Sequence, residues 1–222
     1  MIKEDMFKSF SDLSYDKDKD NEESLVDIAE KAIDMDSFKE KYENNFRDRN
    51  GKYSFEKEYI LSSADALYPT VVTDEDFYLI EFKNGKLKGA ERKLQVVEKL
   101  YDSLFLLEGL YSFDKKKIDR KKLREKCYYI LVYNKSKNES KNKIRHRVNK
   151  VSDDQDPLEA FSDALASVSN TPLTVIVQTG KHFAKFKGYF IKDVLLCSAE
   201  QFKSLLQSKF VDARRYSFSK FY

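Results

Sequence analysis

Asp65, Glu81 and Lys83 are the residues of this chain whose types and spacing could do chemistry together. They lie in the stretch from Ala64 to Gly85, which reads as two β-strands about the polar turn Thr73-Asp74-Glu75, because β-branched and aromatic residues flank that turn. Along the second strand Phe77, Leu79, Glu81 and Lys83 share one face, and Tyr78, Ile80 and Phe82 the other. Folding the pair about residues 73–75 sets Asp65 opposite Lys83 or Asn84, so two carboxylates and one ammonium converge at one end of a hairpin. Opposed side chains stand roughly 5 Å apart and diagonal ones roughly 7 Å, near enough for Asp65 and Glu81 to share one ion. Mg²⁺, or Mn²⁺ in its place, suits such a pair, since it takes hard oxygen ligands and keeps sites for water and substrate phosphate. The ion would activate water and offset charge developing on a phosphodiester, with Lys83 as a point charge for water or phosphate. The same three side chains could instead form a cross-strand salt bridge at a sheet edge.

Asp65, a second strand, then Glu81-Phe82-Lys83 resembles the PD-(D/E)XK nuclease superfamily, the restriction-endonuclease-like fold. Ala64 stands where the name-giving pattern has Pro, and Pro69 falls inside the first strand. The three-residue pattern also begins at Glu91, Asp114, Asp119 and Glu139; what sets Glu81 apart is the end of an apolar strand, a paired strand carrying Asp65 and a helix pattern after it. The resemblance implies an α/β (mixed-sheet, α+β) core in the order helix, three meandering strands, helix, strand. It implies that Asp65 and Glu81 bind the metal, that the Phe82 carbonyl adds a ligand and that Lys83 assists the water. It further implies a third acid on the helix before the sheet, for which Glu30, Glu40 and Glu43 are all available. Gln95 would approach the site as a Gln does in some relatives, but the RecB-like Gln-x-x-x-Tyr pattern is interrupted by Lys99, the tyrosine coming at 101. The expected activity is metal-dependent hydrolysis of nucleic acid, DNA in preference to RNA. The competing expectation is an inactive protein of this fold that binds nucleic acid or a protein partner. A defence, mobile-element or repair role follows only by analogy.

The elements that must position these residues can be read from periodicity. Residues 1–21 carry the polar tract Ser14 to Asn21 and read as a flexible lead-in. Asp16, Asp18, Asp20 and Asp27 approximate a calcium loop's spacing, but Asn21 replaces its glycine. From Glu22, apolar residues at Leu25, Ile28, Ala29, Ala32 and Ile33, and then at Phe38, Tyr42 and Phe46, predict two amphipathic helices. Alternation over 53–61 predicts the first strand of the meander. A long helix follows from about Ala90 to Glu108, with Gly109 as its stop. The continuous apolar run Cys127 to Tyr133 predicts a strand buried on both faces. Beyond it, residues 143–151 read as a hairpin partner, a helix opens at Asp156-Pro157, and strands fall at 173–178 and 189–196. Ser198 and Gln201 box the start of a last helix.

With 222 residues the chain fits a single domain from 22 to 222, its core at about 22–134 and a C-terminal embellishment after it. Charged residues make up 36% of the chain but the net charge is only +3, so a basic surface must be local. Two runs qualify, one with Lys116, Lys117, Arg120 and Lys121 and one with Arg145 and Arg147; either would contact phosphates, or simply form a solvated face. No apolar run approaches a membrane span and the start lacks a signal peptide's apolar segment, which points to the cytoplasm. Cys127 and Cys197 each sit in an apolar run and read as buried thiols; His146 and His182 lack partners at ligand spacing.

Overall fold

The apolar run at 127–133 forms an interior strand of the sheet, paired with a neighbour on each side. In a computed structural model, which describes residues 4–16, 23–44, 61–68, 76–87, 90–113, 120–138, 183 and 185–208, every residue of this strand is buried. A single 3-10 turn, Glu4–Met6, precedes the elements β1 (Phe7–Ser9), α1 (Phe10–Leu13), β2 (Tyr15–Asp16), β3 (Glu23–Ser24), β4 (Lys31–Asp34), α2 (Met35–Asn44), β5 (Ala66–Tyr68) and β6 (Phe77–Lys83). Then come α3 (Ala90–Phe113), α4 (Arg120–Lys126), β7 (Cys127–Tyr133), α5 (Lys135–Asn138), β8 (Asp193–Ser198) and α6 (Ala199–Gln207). Among the described residues these make a mixed α/β protein with a six-stranded sheet in the order β1-β4-β5-β6-β7-β8, plus a small β2-β3 ribbon. Pairing is antiparallel from β1 to β6 and parallel from β6 through β8. The parallel join from β6 to β7 places α3 and α4 across one face of the sheet and α6 covers the other, and β7 accordingly lacks a polar face.

Alternation along the strands divides the core in two. Phe77, Leu79, Tyr129, Leu131 and Leu196 meet Phe38 and Tyr42 of α2, Val96, Val97, Leu100 and Leu104 of α3 and Leu123 of α4. On the other face Tyr78, Ile80, Phe82, Ile130, Val132 and Leu195 meet Phe10 of α1 and Phe202, Leu205 and Leu206 of α6. The capping box at Ser198 and Gln201 starts α6 as its spacing predicts, with Oγ accepting from the Gln201 amide at 3.3 Å and Oε1 accepting from the Ser198 amide at 2.8 Å. Cys127 and Cys197 are buried and free, on opposite faces of the sheet, so no disulfide can join them. No helix among the described residues is long and apolar enough to cross a membrane.

Several expectations need correction. The predicted helix over 22–33 is not formed: Lys31–Asp34 is strand β4, paired with β1 on one side and β5 on the other. Ala32 and Ile33 are both fully buried but in different cores, a period-two pattern that helical spacing had masked. The neighbour of β5 is therefore β4, and not a strand at 53–60, which lies outside the described residues. Much of the stretch read as a flexible lead-in is ordered: β1 pairs with β4, and α1 is boxed by Ser9 and Asp12 and buries Phe10. The helix at Ala90 runs past Gly109 to Phe113, since an interior glycine costs only about 1 kcal/mol. The last strand begins at Asp193 and not at Tyr189, which lies in a turn where Gly188 adopts φ 74°. The elements expected at 143–151, from Asp156 and at 173–178 lie outside the described residues, as do Phe46, Asp18, Asp20, His146 and His182.

Candidate functional site

Asp65 is set by three backbone contacts. Its amide donates to the Ile80 carbonyl at 3.0 Å, its carbonyl accepts from the Met35 amide at 3.3 Å, and Ala66 beside it pairs with Ile80. Continued by one residue, that register places Asp65 across from Glu81, not across from Lys83 or Asn84 as the turn position suggested. Residues 62–64 are tied to α3, where Asp102 accepts the Ser62 amide at 2.7 Å and Ser103 Oγ accepts the Ala64 amide at 2.7 Å. Asp65 and Glu81 thus face α3 on one side of the sheet.

Glu81 is fully buried, while Asp65, Lys83 and Lys99 keep between a fifth and a third of their side-chain exposure. Lys83 Nζ lies 2.8 Å from Glu81 Oε1. Lys99, reaching down from α3, bridges the two acids: Nζ is 3.1 Å from Asp65 Oδ1, 3.1 Å from Glu81 Oε2 and 2.9 Å from Glu81 Oε1. The amide of Phe82 donates to Asp65 Oδ2 at 2.6 Å, so the contact Phe82 makes with the pair is through its N–H, where the sequence suggested its carbonyl as a ligand. Two anions and two cations compensate one another. Yet Glu81 Oε1, with both ammoniums in ion-pair range, has no aligned hydrogen bond. A buried carboxylate oxygen held by charge without direction is one that a spherical cation can satisfy.

Electrostatics follow from this crowding. Burial pushes the Asp65 carboxyl up to about 7, with Glu81 adding to the rise and Lys99, the Phe82 amide and Lys83 opposing it. Burial alone would lower the Lys99 ammonium, but Glu81 and Asp65 outweigh it and hold it above the ordinary lysine value. Tyr129, fully buried beneath, has its hydroxyl pushed well up by burial and then by both acids; it donates to the Val96 carbonyl at 3.4 Å.

Asp65, Phe82 and Lys83 border a cleft of about 300 Å³, with Gln95, Lys86 and Tyr15 also on its wall. The wall formed by residues 84–87 is braced: Asn134 Nδ2 donates to Asn84 Oδ1 at 2.7 Å, and Asn138 Oδ1 accepts the Leu87 amide at 2.8 Å. Gln95 is exposed and lines this cleft together with Asp65. Lys86 was not singled out from sequence, and Lys99 entered only as the residue that interrupts the RecB-like pattern; the signal for it as a site residue is its position one helical turn after Gln95, on the sheet-facing side of α3.

The other expected residues are not gathered here. Glu30 precedes β4 and accepts from the Tyr68 hydroxyl, Glu40 is exposed on α2, and Glu43 is buried and accepts the Leu61 amide at 3.2 Å. Asp36, another acid of α2, accepts from Ser63 Oγ at 2.6 Å. Burial pushes its carboxyl up, but Ser63, Lys39 and Lys99 together bring it below its ordinary value. Arg120 is exposed and pairs with Glu108 at 3.2 Å; neither it nor Lys121 lines the cleft, and Lys116, Lys117, Arg145 and Arg147 lie outside the described residues. Among the described residues no three of His, Cys, Asp or Glu converge, so an ion here would rest on two carboxylates completed by water, backbone or substrate. No family model, curated protein or solved structure matches the chain.

Proposed function

We propose that this chain is a Mg²⁺- or Mn²⁺-dependent nuclease that hydrolyses phosphodiester bonds in nucleic acid, DNA in preference to RNA. The observation that carries the proposal is the placement of Asp65 and fully buried Glu81 side by side across β5 and β6, with two lysines on the same face and a polar cleft against them. The chain order β4, β5, β6, α3, β7, antiparallel through β6 and then parallel, supports the strand-helix-strand part of a restriction-endonuclease-like core, although α2 lies between the first two strands and not before all three as that core's order would have it. The preference for DNA comes from that resemblance alone.

Asp65 and Glu81 are the residues that would hold the ion. When bound, it supplies Lewis acidity toward the phosphate and lowers the pKa of its water. Glu81, fully buried, would fix its position; Asp65, at the edge of the cleft, would present it to substrate. Lys83 places a positive charge against the phosphate oxygens. In hydrolysis the water oxygen bonds to phosphorus, the ester P–O bond breaks, the leaving oxygen takes a proton and the water's own proton passes to solvent. Cleavage of single- and double-stranded DNA and RNA with added Mg²⁺ or Mn²⁺ tests the proposal. Asp65→Ala and Glu81→Ala are each expected to lose at least about 100-fold in rate; undiminished cleavage rejects the site.

The mutual compensation of the four charged groups favours a second reading, in which they are a structural ion cluster in a protein that binds nucleic acid without cutting it. That reading predicts salt-sensitive binding with neither cleavage nor Mn²⁺ affinity.

A further inference from the structure

We infer that Lys99 is the resident counter-cation of the Asp65 and Glu81 pair: its ammonium sits where a divalent ion would sit, and entry of the ion drives it toward phosphate in the cleft. The inference rests on the nuclease reading above. Lys99 is the lysine that touches both acids, at 3.1 Å to Asp65 and at 2.9 and 3.1 Å to the two oxygens of Glu81. Lys83 is paired with Glu81, at 2.8 Å. An ammonium centred between two carboxylates and a small dication ask for the same oxygens, and two like charges cannot share them. Glu81 is fully buried on a central strand and cannot yield, whereas Lys99 hangs from α3 on a flexible stem and keeps a quarter of its exposure. Gln95, one turn earlier on the same helix, already lines the cleft, which marks the direction in which the displaced ammonium can turn. In the metal-free protein Lys99 keeps a buried acid pair compensated; with the ion seated, the same charge becomes available to the substrate.

The test is Mn²⁺ titration of the metal-stripped full chain, followed by electron paramagnetic resonance at about pH 8.5 so that carboxylates are ionised. Lys99→Met is expected to bind Mn²⁺ about tenfold more tightly than wild type, and Lys83→Met by a clearly smaller factor. At saturating Mn²⁺, cleavage by Lys99→Met is expected to fall at least about tenfold, because the phosphate has lost a cation. Lys99→Gln, which keeps a hydrogen-bonding head without charge, gives the same pattern if Lys99→Met does not fold. Unchanged or weaker Mn²⁺ binding in the Lys99 variants, with Glu81→Gln abolishing binding, overturns this inference and leaves the metal site standing. An equal gain in Lys83→Met, or tighter binding with undiminished cleavage, overturns it as well. Absence of Mn²⁺ binding in every variant overturns it together with the reading beneath it.

Discussion

Asp65 is pulled in opposite directions, and its titration follows from the balance. Burial and the neighbouring Glu81 raise its carboxyl from 3.8 to about 7 against the pull of Lys99. A carboxyl whose pKa is higher in the folded protein binds its proton more tightly there, so the associated stability is present at low pH and is lost as pH rises through about 7. Asp65→Asn keeps the shape and an acceptor for the Phe82 amide but carries no charge. It should match wild type in urea midpoint near pH 4 and exceed it near pH 8, by a few kcal/mol at most; a wild type that gains on the variant with rising pH contradicts this. At this scale the shared face of Glu81 and Lys83 was legible, because strand alternation sets Phe77, Leu79, Glu81 and Lys83 on one side of β6 and Tyr78, Ile80 and Phe82 on the other; the partner of Asp65 across the pair was not. Lys99 was not. A lysine on a helix is ordinarily a solvated charge, and only two acids beneath α3 make an inward one stable.

The long helix α3 does more than cover the sheet. Its turn at 99–103 carries the lysine that bridges the acids and the Ser103 hydroxyl that receives the Ala64 amide at 2.7 Å while donating to the Lys99 carbonyl at 2.6 Å. Ser103→Ala leaves a buried N–H without a partner one residue before Asp65, which should destabilise by about 1–3 kcal/mol in urea unfolding and depress cleavage more than nucleic-acid binding. On the opposite face Phe202 meets Phe10 and Phe82 edge-on, with centroids 5.4 and 5.7 Å away. Phe202→Ala should cost about 3–5 kcal/mol through the cavity it opens, with Mn²⁺ affinity kept wherever the protein remains folded. The existence of α3 could be read from its length, though not its end beyond Gly109, and β7 from its unbroken apolar run. β4 could not, because four residues satisfy either period and pairing on both sides decided between them. Register failed for a related reason: the turn between β5 and β6 was placed by polarity, while the observed pairing of Ala66 with Ile80 shifts Asp65 onto Glu81.

The described residues of the molecule form two cores separated by one sheet, and its thiols report on both. Cys127 faces the α3 side and Cys197 the α6 side, each buried, with burial pushing both thiols well above their ordinary value. Neither should react with a thiol reagent such as DTNB in the native state, and both should react in denaturing guanidinium; reaction of one alone below the unfolding transition would show that its core opens separately. Mixed α/β architecture was legible from the alternation of helical and strand periods, whereas the N-terminal edge strand β1 was hidden by its three-residue length in a polar setting. The proposed chemistry requires one relation across this sheet, that the Asp65 and Glu81 carboxylates share a cation. An anomalous difference map from a crystal soaked in Mn²⁺ tests it most directly. A peak within about 2.3 Å of oxygens from both residues, with the Lys99 ammonium moved away, is the predicted result; no peak at saturating Mn²⁺ and Lys99 still bridging both acids would contradict it.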